Sequence, residues 1–255
     1  MFTTEQRDHV RERVIDLARS DPRITAGALI GSTAQGAQDE WSDLDLTFGV
    51  ADGVDIEEVL GDWTETFNRE LGALDHFDLR AGPSIYRVFL LSSGLEVDVS
   101  VTPQGEFSAR GPRFRSLFGD HREAPPAPQP DAHHLVGMGW HHVLHARSCI
   151  ERGKPWQAEY WMSNLRDYTL ALACLRLGLD AIYARGVDRL PADVTAPLAD
   201  ALVRSLDAPE LRRALAAATT CFITELEARD SVQSARLKPL LLELGAPESD
   251  VARAE

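Results

Sequence analysis

Residues Ala124–Pro130, reading APPAPQP, constrain this chain more than any other stretch. Four prolines in seven residues hold neither a helix interior nor a central strand, so the segment reads as a stiff linker. The two sides differ in pattern. Before it, short β-rich runs alternate with helical stretches; after it, every periodic segment is helical. The expected architecture is α+β, with a mixed-sheet domain over 1–123 followed by an all-α helical bundle over 131–255. A chain of 255 residues is long enough for both.

In the first part, Thr3 and Gln6 have capping-box spacing ahead of a helix over Glu5–Arg19, which Asp21-Pro22 stops. Ile24–Ile30 and Leu44–Val50 read as strands. Asp55–Leu71 has the spacing of an amphipathic helix. His76–Arg80, Ile85–Leu91 and Leu95–Thr102 are further strands, the last two joined as a hairpin through Ser92-Ser93-Gly94. In the second part, helices are predicted near Asp131–Arg152, Pro155–Leu177, Thr195–Leu206, Pro209–Ala228 and Ser231–Leu244, with Pro155 at a first turn and Gly178 at a C-terminal cap.

Composition narrows the function classes. Lys and Arg number 26 against 40 Asp and Glu, a net charge of -14. Without a basic run, the chain has no means of neutralising a phosphate backbone, so general nucleic-acid binding is not expected. A cationic small-molecule partner suits the charge better. No apolar run approaches the roughly 20 residues that span a bilayer, and the charged N-terminus has no apolar core of a signal peptide. Cys149, Cys174 and Cys221 are odd in number and widely spaced, which excludes a disulfide framework and indicates a reducing, cytoplasmic setting.

The chemistry concentrates between Gly31 and Leu46. Gly31-Ser32 follows an apolar strand, where glycine admits close backbone approach and Ser32 offers a hydroxyl and an N–H to phosphate oxygens. Asp43 and Asp45 stand two apart, so both carboxylates point to one face while Leu44 and Leu46 point to the core. Paired anions of this kind call for a cation, and an all-oxygen donor set suits Mg²⁺. In Leu95–Val99 the same alternation leaves Glu96 and Asp98 on one face, with Asp98 the preferred third acid. Glu106, at a strand-to-helix transition, offers either a general base or a charge favourable to a helix N-terminus.

The segment ITAGALIGSTAQGAQDEWSDLDL resembles the signature of the DNA polymerase β-type nucleotidyltransferases, and with the helical second part the chain resembles the lincosamide and aminoglycoside adenylyltransferases. The stretches EVDV and GEF extend that resemblance to the lincosamide enzymes more weakly. The resemblance implies two Mg²⁺ ions on Asp43, Asp45 and Asp98, phosphate contacts from Gly31 and Ser32, and Glu106 as general base. It implies transfer of AMP from ATP to a hydroxyl of a small molecule, plausibly an aminoglycoside or lincosamide, with release of pyrophosphate. Arg176 and Arg185, with Arg166 and Arg189 as neighbours, are the candidates to close over the ATP phosphates. Trp156, Glu159, Tyr160, Trp161 and Asp167 are candidates to meet a cationic or sugar-like acceptor. His141 and His145, four apart, read as ordinary helix residues and not as a zinc site. The rival readings are a protein-modifying nucleotidyltransferase and a nucleotide-binding module without turnover. No P-loop, dinucleotide-binding or nucleophile-elbow motif occurs.

Overall fold

The computed structural model describes Met1–Ala246. The chain divides into two compact units, Met1–Ala127 and a second beginning at Pro128.

The first helix, α1 (Thr4–Ser20), starts at a complete capping box: the Thr3 hydroxyl accepts from the Gln6 N–H at 3.2 Å, and the Gln6 carboxamide accepts from the Thr3 N–H at 2.8 Å. Val10, Val14 and Ala18, one helical turn apart, form its buried stripe. Strand β1 (Ile24–Ile30) leads into a one-turn helix, α2 (Gly31–Ala34), and after a loop comes β2 (Leu44–Val50). Helix α3 (Ile56–Thr66) is capped by Asp55 and buries Val59, Leu60 and Trp63. The helix predicted through Leu71 widens at Phe67–Leu71 into a π-helical turn, which Gly72 closes in the left-handed conformation at φ 68°. Strands β3 (Ala73–Ala81), β4 (Ser84–Leu91) and β5 (Glu96–Pro103) follow as a meander.

Three short strands have no periodic signal in the sequence: β6 (Ser108–Arg110), β7 (Phe114–Phe118) and β8 (Arg122–Ala124). The main sheet has the order β3-β4-β5-β2-β1-β7, while β6 and β8 form a separate parallel pair. Every neighbouring pair in the main sheet is antiparallel except β2 and β5, which run parallel with Asp45 opposite Asp98. Helices α1 and α3 cover one face. Their apolar residues join Leu44, Leu46, Val97 and Val99 in a continuous core, and Trp63 meets Phe48 edge-on at 5.2 Å. The aspartates therefore emerge on the face away from those helices.

The second unit is helical: α4 (Ala132–Glu151), α5 (Pro155–Arg176), α6 (Ala192–Asp200), α7 (Ala208–Arg229) and α8 (Ser231–Gly245). Asp131 caps α4 by accepting from the His133 and His134 N–H groups at 3.1 and 3.2 Å. Asp230 caps α8 in the same way.

Helix α6 differs from the predicted Thr195–Leu206. It begins earlier and stops at Asp200, because the Arg213 guanidinium from α7 takes the carbonyls of Asp200 and Leu202 at 2.6 and 2.9 Å. The Arg204 N–H is claimed by Glu210 at 2.9 Å, so side chains replace the helical ladder there.

Helices α4 and α7 meet closely at Gly139, where a Cβ would run into the Phe222 ring. Gly139→Ala should therefore lower stability by about 1–3 kcal/mol, even though alanine is the better helix former. Denaturant unfolding followed by far-UV circular dichroism reads that loss, and an unchanged midpoint would contradict it.

Candidate functional site

The site grows from the β2–β5 pairing. Both strands bury the residues of one face (Leu44 and Leu46; Val97 and Val99), so Asp45 and Asp98 must share the other face at paired positions. In a sheet, such partners stand close enough for their charges to interact. Asp43 lies just ahead of β2 and is exposed, while Asp45 and Asp98 are half-buried. The Asp98 carboxyl is pushed up to about 6, by burial first and then by the negative charges of Glu96 and Asp43. Its Oδ1 is buried and makes no hydrogen bond among the described residues.

Gly31 completes this corner. It sits at φ 68°, where a side chain is strained, and a Cβ on it would overlap the Asp45 carboxylate. The bare backbone of the Gly31-Ser32 turn thus abuts an acid from the next strand. The Ser32 hydroxyl makes no hydrogen bond among the described residues.

Arg7 is a residue that spacing did not single out. It is 3% exposed, on α1, and its guanidinium donates to the carbonyls of Asp39 at 2.5 Å and Ser42 at 3.0 Å. Asp39 and Ser42 also bond to each other at 2.9 Å, which closes a tight turn directly ahead of Asp43. Arg7 is therefore a positioning residue for the acid pair. The only signal in the sequence is a charged residue on the apolar stripe of an amphipathic helix, three before Val10.

The donor chemistry fits a hard cation. Asp98 is a half-buried carboxylate with an orphaned oxygen and a raised proton affinity, and such an oxygen donor suits Mg²⁺. Among the described residues no three such side chains already form a group that could hold a metal, so the carboxylates would have to close on the ion.

Glu106 is not brought to this corner. Asp45 and Asp98 lie near the starts of parallel strands whose far ends pair Val50 with Pro103, and Glu106 follows Pro103 in an exposed 3₁₀ turn. Five strand residues of about 3.3 Å each separate Asp98 from Pro103, roughly 16 Å along the strand, before the turn that holds Glu106 begins. Its turn is fixed there by neighbours. The Gln104 carboxamide donates to the Asp120 carbonyl at 2.9 Å, and the buried Phe107 packs on Ala26 and Ala28.

The expected phosphate ligands in the helical unit are also committed elsewhere. Arg176 makes a two-pronged ion pair with Glu225 of α7, at 2.9 and 2.7 Å, and Glu225 is 5% exposed. Arg185 lies 5.1 Å over the Tyr183 ring and 3.9 Å from Asp180. Arg166 bonds the Ser163 hydroxyl at 2.8 Å. His145 stacks on Trp161 at 4.7 Å, and His142 and His141 meet the same ring edge-on at 4.9 and 5.8 Å. His142 is buried, and burial holds its imidazole below the usual value.

No family model matches the chain, and no curated protein matches it. Among solved structures, it is similar to an aminoglycoside 6-adenyltransferase from Bacillus subtilis, with 13% identity and a TM-score of 0.43, over 96% of this chain and 100% of that one. It is also similar to a nucleotidyltransferase-like protein from Exiguobacterium sibiricum 255-15, with 12% identity and a TM-score of 0.38, over 93% of this chain and 88% of that one.

Two outcomes follow from the geometry. Because the folded protein holds a proton on Asp98 up to about pH 6, against about 4 for an unfolded aspartate, the native state binds more protons across that interval. Stability then falls as pH rises through the interval and stays lower above it. In chelator, Asp98→Asn should be more stable than the parent by on the order of 2–3 kcal/mol above pH ~6, with the difference gone below pH ~4; thermal melts across pH measure it. Arg176→Ala should cost about 2–3 kcal/mol, because it strands the buried Glu225, and the same melts read it.

Proposed function

We propose that the chain is a metal-dependent nucleotidyltransferase that moves AMP from ATP to a hydroxyl of a small, cationic or sugar-like molecule. The observation that carries this reading is the acid corner: Asp45 and Asp98 at paired positions on parallel strands, with Asp43 ahead of them and the Gly31 backbone against Asp45.

Asp43, Asp45 and Asp98 would hold Mg²⁺, one ion or two. Bound there, Mg²⁺ supplies charge stabilisation to the transferring phosphoryl group. The side-chain-free Gly31 lets the triphosphate approach the strand end, and the Ser32 hydroxyl is available to a phosphate oxygen. Asp98, the third acid of the corner, would take the proton of the acceptor hydroxyl. The acceptor oxygen bonds to the α-phosphorus as the bond from that phosphorus to the bridging oxygen of pyrophosphate breaks. The scheme gives the proton to Asp98 and leaves Glu106, in its exposed turn, outside it. Arg176 stands outside it too, because Glu225 occupies its guanidinium.

The test is pyrophosphate release and AMP mass gain on a panel of hydroxylated amines, with ATP and Mg²⁺. Asp45→Asn should reduce turnover by more than roughly 10²-fold with the melting profile of a folded protein, whereas Glu106→Gln should leave it within about twofold of the parent. An active Asp45→Asn protein would overturn the assignment of the metal site, and a dead Glu106→Gln protein would overturn Asp98 as the proton acceptor.

A further inference from the structure

The helical unit contains a pocket of about 480 Å³ that the acid corner does not involve. One wall is α5, with Asp167, Tyr168 and Ala171; Leu135 of α4 contributes beside it, and the segment from Ala181 to Val187 forms the opposite wall. The lining is mostly apolar, and Asp167 is its single charged residue. The Asp167 carboxylate accepts no hydrogen bond from the described residues. Partial withdrawal from water raises its proton affinity, and the neighbouring Arg166 offsets this only in part. The Arg166 side chain itself is occupied with the Ser163 hydroxyl and the Ala201 carbonyl.

The opposite wall is built, not loose. Tyr183 and Ala184 both have positive φ, 52° and 58°, and they are the two such non-glycine residues among those described. Strain of that kind persists only where surrounding bonds over-determine the backbone. Here they do. The Gln129 carboxamide accepts from the Ala181 N–H at 2.9 Å, and the Asp180 carboxylate accepts from the Ile182 N–H at 3.0 Å. The Gly186 N–H returns to the Asp180 carbonyl at 2.8 Å, at a point where a Cβ would stand 2.6 Å from that same oxygen. The pocket is thus held open by a fixed loop, and a ligand entering it need not first order the wall.

We propose that this pocket binds a small organic monocation with an apolar body, its ammonium against Asp167 and its apolar part between Leu135, Ala171, Ile182 and Val187. The class follows from the lining. An anion would face the carboxylate with no basic residue in the wall, and a polyhydroxylated polyamine would leave most of its polar groups against apolar surface. A neutral apolar molecule would fill the volume but gain nothing from Asp167, which is exposed at the pocket's edge. The proposal does not rest on the transfer reaction, and binding should require neither nucleotide nor metal.

The test titrates the full chain, in chelator and without ATP, with three shape-matched probes: tryptamine as cation, tryptophol as neutral and indole-3-acetate as anion. Methyl resonances of Leu135, Ile182 and Val187 report occupancy. Tryptamine should shift all three and bind about tenfold or more tighter than tryptophol, and indole-3-acetate should be weakest. Asp167→Asn should bring tryptamine to the level of tryptophol, and Ala171→Phe, which fills the pocket, should weaken both. Far-UV circular dichroism confirms that each variant is folded. Equal binding of tryptamine and tryptophol, an unchanged tryptamine affinity in Asp167→Asn, or no methyl shift up to about 10 mM probe would each overturn the proposal. Loss of nucleotidyl transfer with binding intact would leave it standing.

Discussion

The parallel register of β2 with β5 is the constraint on which the candidate site depends. Leu44, Leu46, Val97 and Val99 are fully buried under α1 and α3, and a strand's period of two then dictates that Asp45 and Asp98 come out together on the opposite face. A slip of one residue in either strand would bury its acid and expose a leucine or a valine. Core packing thus fixes the position of both charges, and the core's stability is what keeps two mutually repelling groups adjacent. The proton affinity of Asp98 is raised by its burial first and then by the charges of Glu96 and Asp43, and a bound cation would relieve it. Gly31 shows the same economy of space: any side chain there would displace the Asp45 carboxylate.

Much of this was legible in the sequence, because it rests on local alternation. Asp43-Leu44-Asp45-Leu46 and Leu95-Glu96-Val97-Asp98-Val99 state which residues face inward, and Thr3, Asp55, Asp131 and Pro155 announce helix starts that the structure places within a residue or so. Strand direction was not legible. Spacing places Glu106 eight residues after Asp98, but a strand continues in one direction. The five residues from Asp98 to Pro103 carry the chain to the far end of β5, and the Gln104–Glu106 turn then leads it over Gly49 to the buried Phe107. The edge strand β7 was equally hidden, since it is defined by pairing with β1 more than by any pattern of its own.

Arginine placement was the other illegible quantity. A guanidinium reaches many partners, and its neighbours in space decide its role. Arg7 looks like any helix-surface charge, yet it is buried and organises the turn before Asp43. Arg176 looks available to a phosphate, yet it neutralises a buried glutamate across two helices. Arg213 shortens α6 by taking its terminal carbonyls. In each case the partners are 11 to 49 residues away in sequence, beyond what periodicity can register.

The two units differ in where they hold unfavourable contacts. In the sheet unit, the cost is electrostatic and sits where a cation would remove it. In the helical unit, it is conformational and sits in Tyr183 and Ala184, held by Gln129, Asp180 and Gly186 along one wall of an apolar pocket. Folding alone would discard both: asparagine at position 98 would end the repulsion, and glycine at position 184 would end the backbone strain. Residues that lower stability while the surroundings are built to keep them in place mark positions where something other than stability sets the identity. At Asp98 the proposed determinant is the chemistry of a hydroxyl and a phosphate. At the 180–187 loop the proposed determinant is the shape of a binding wall, which must be rigid before the ligand arrives if a single carboxylate is to select a cation.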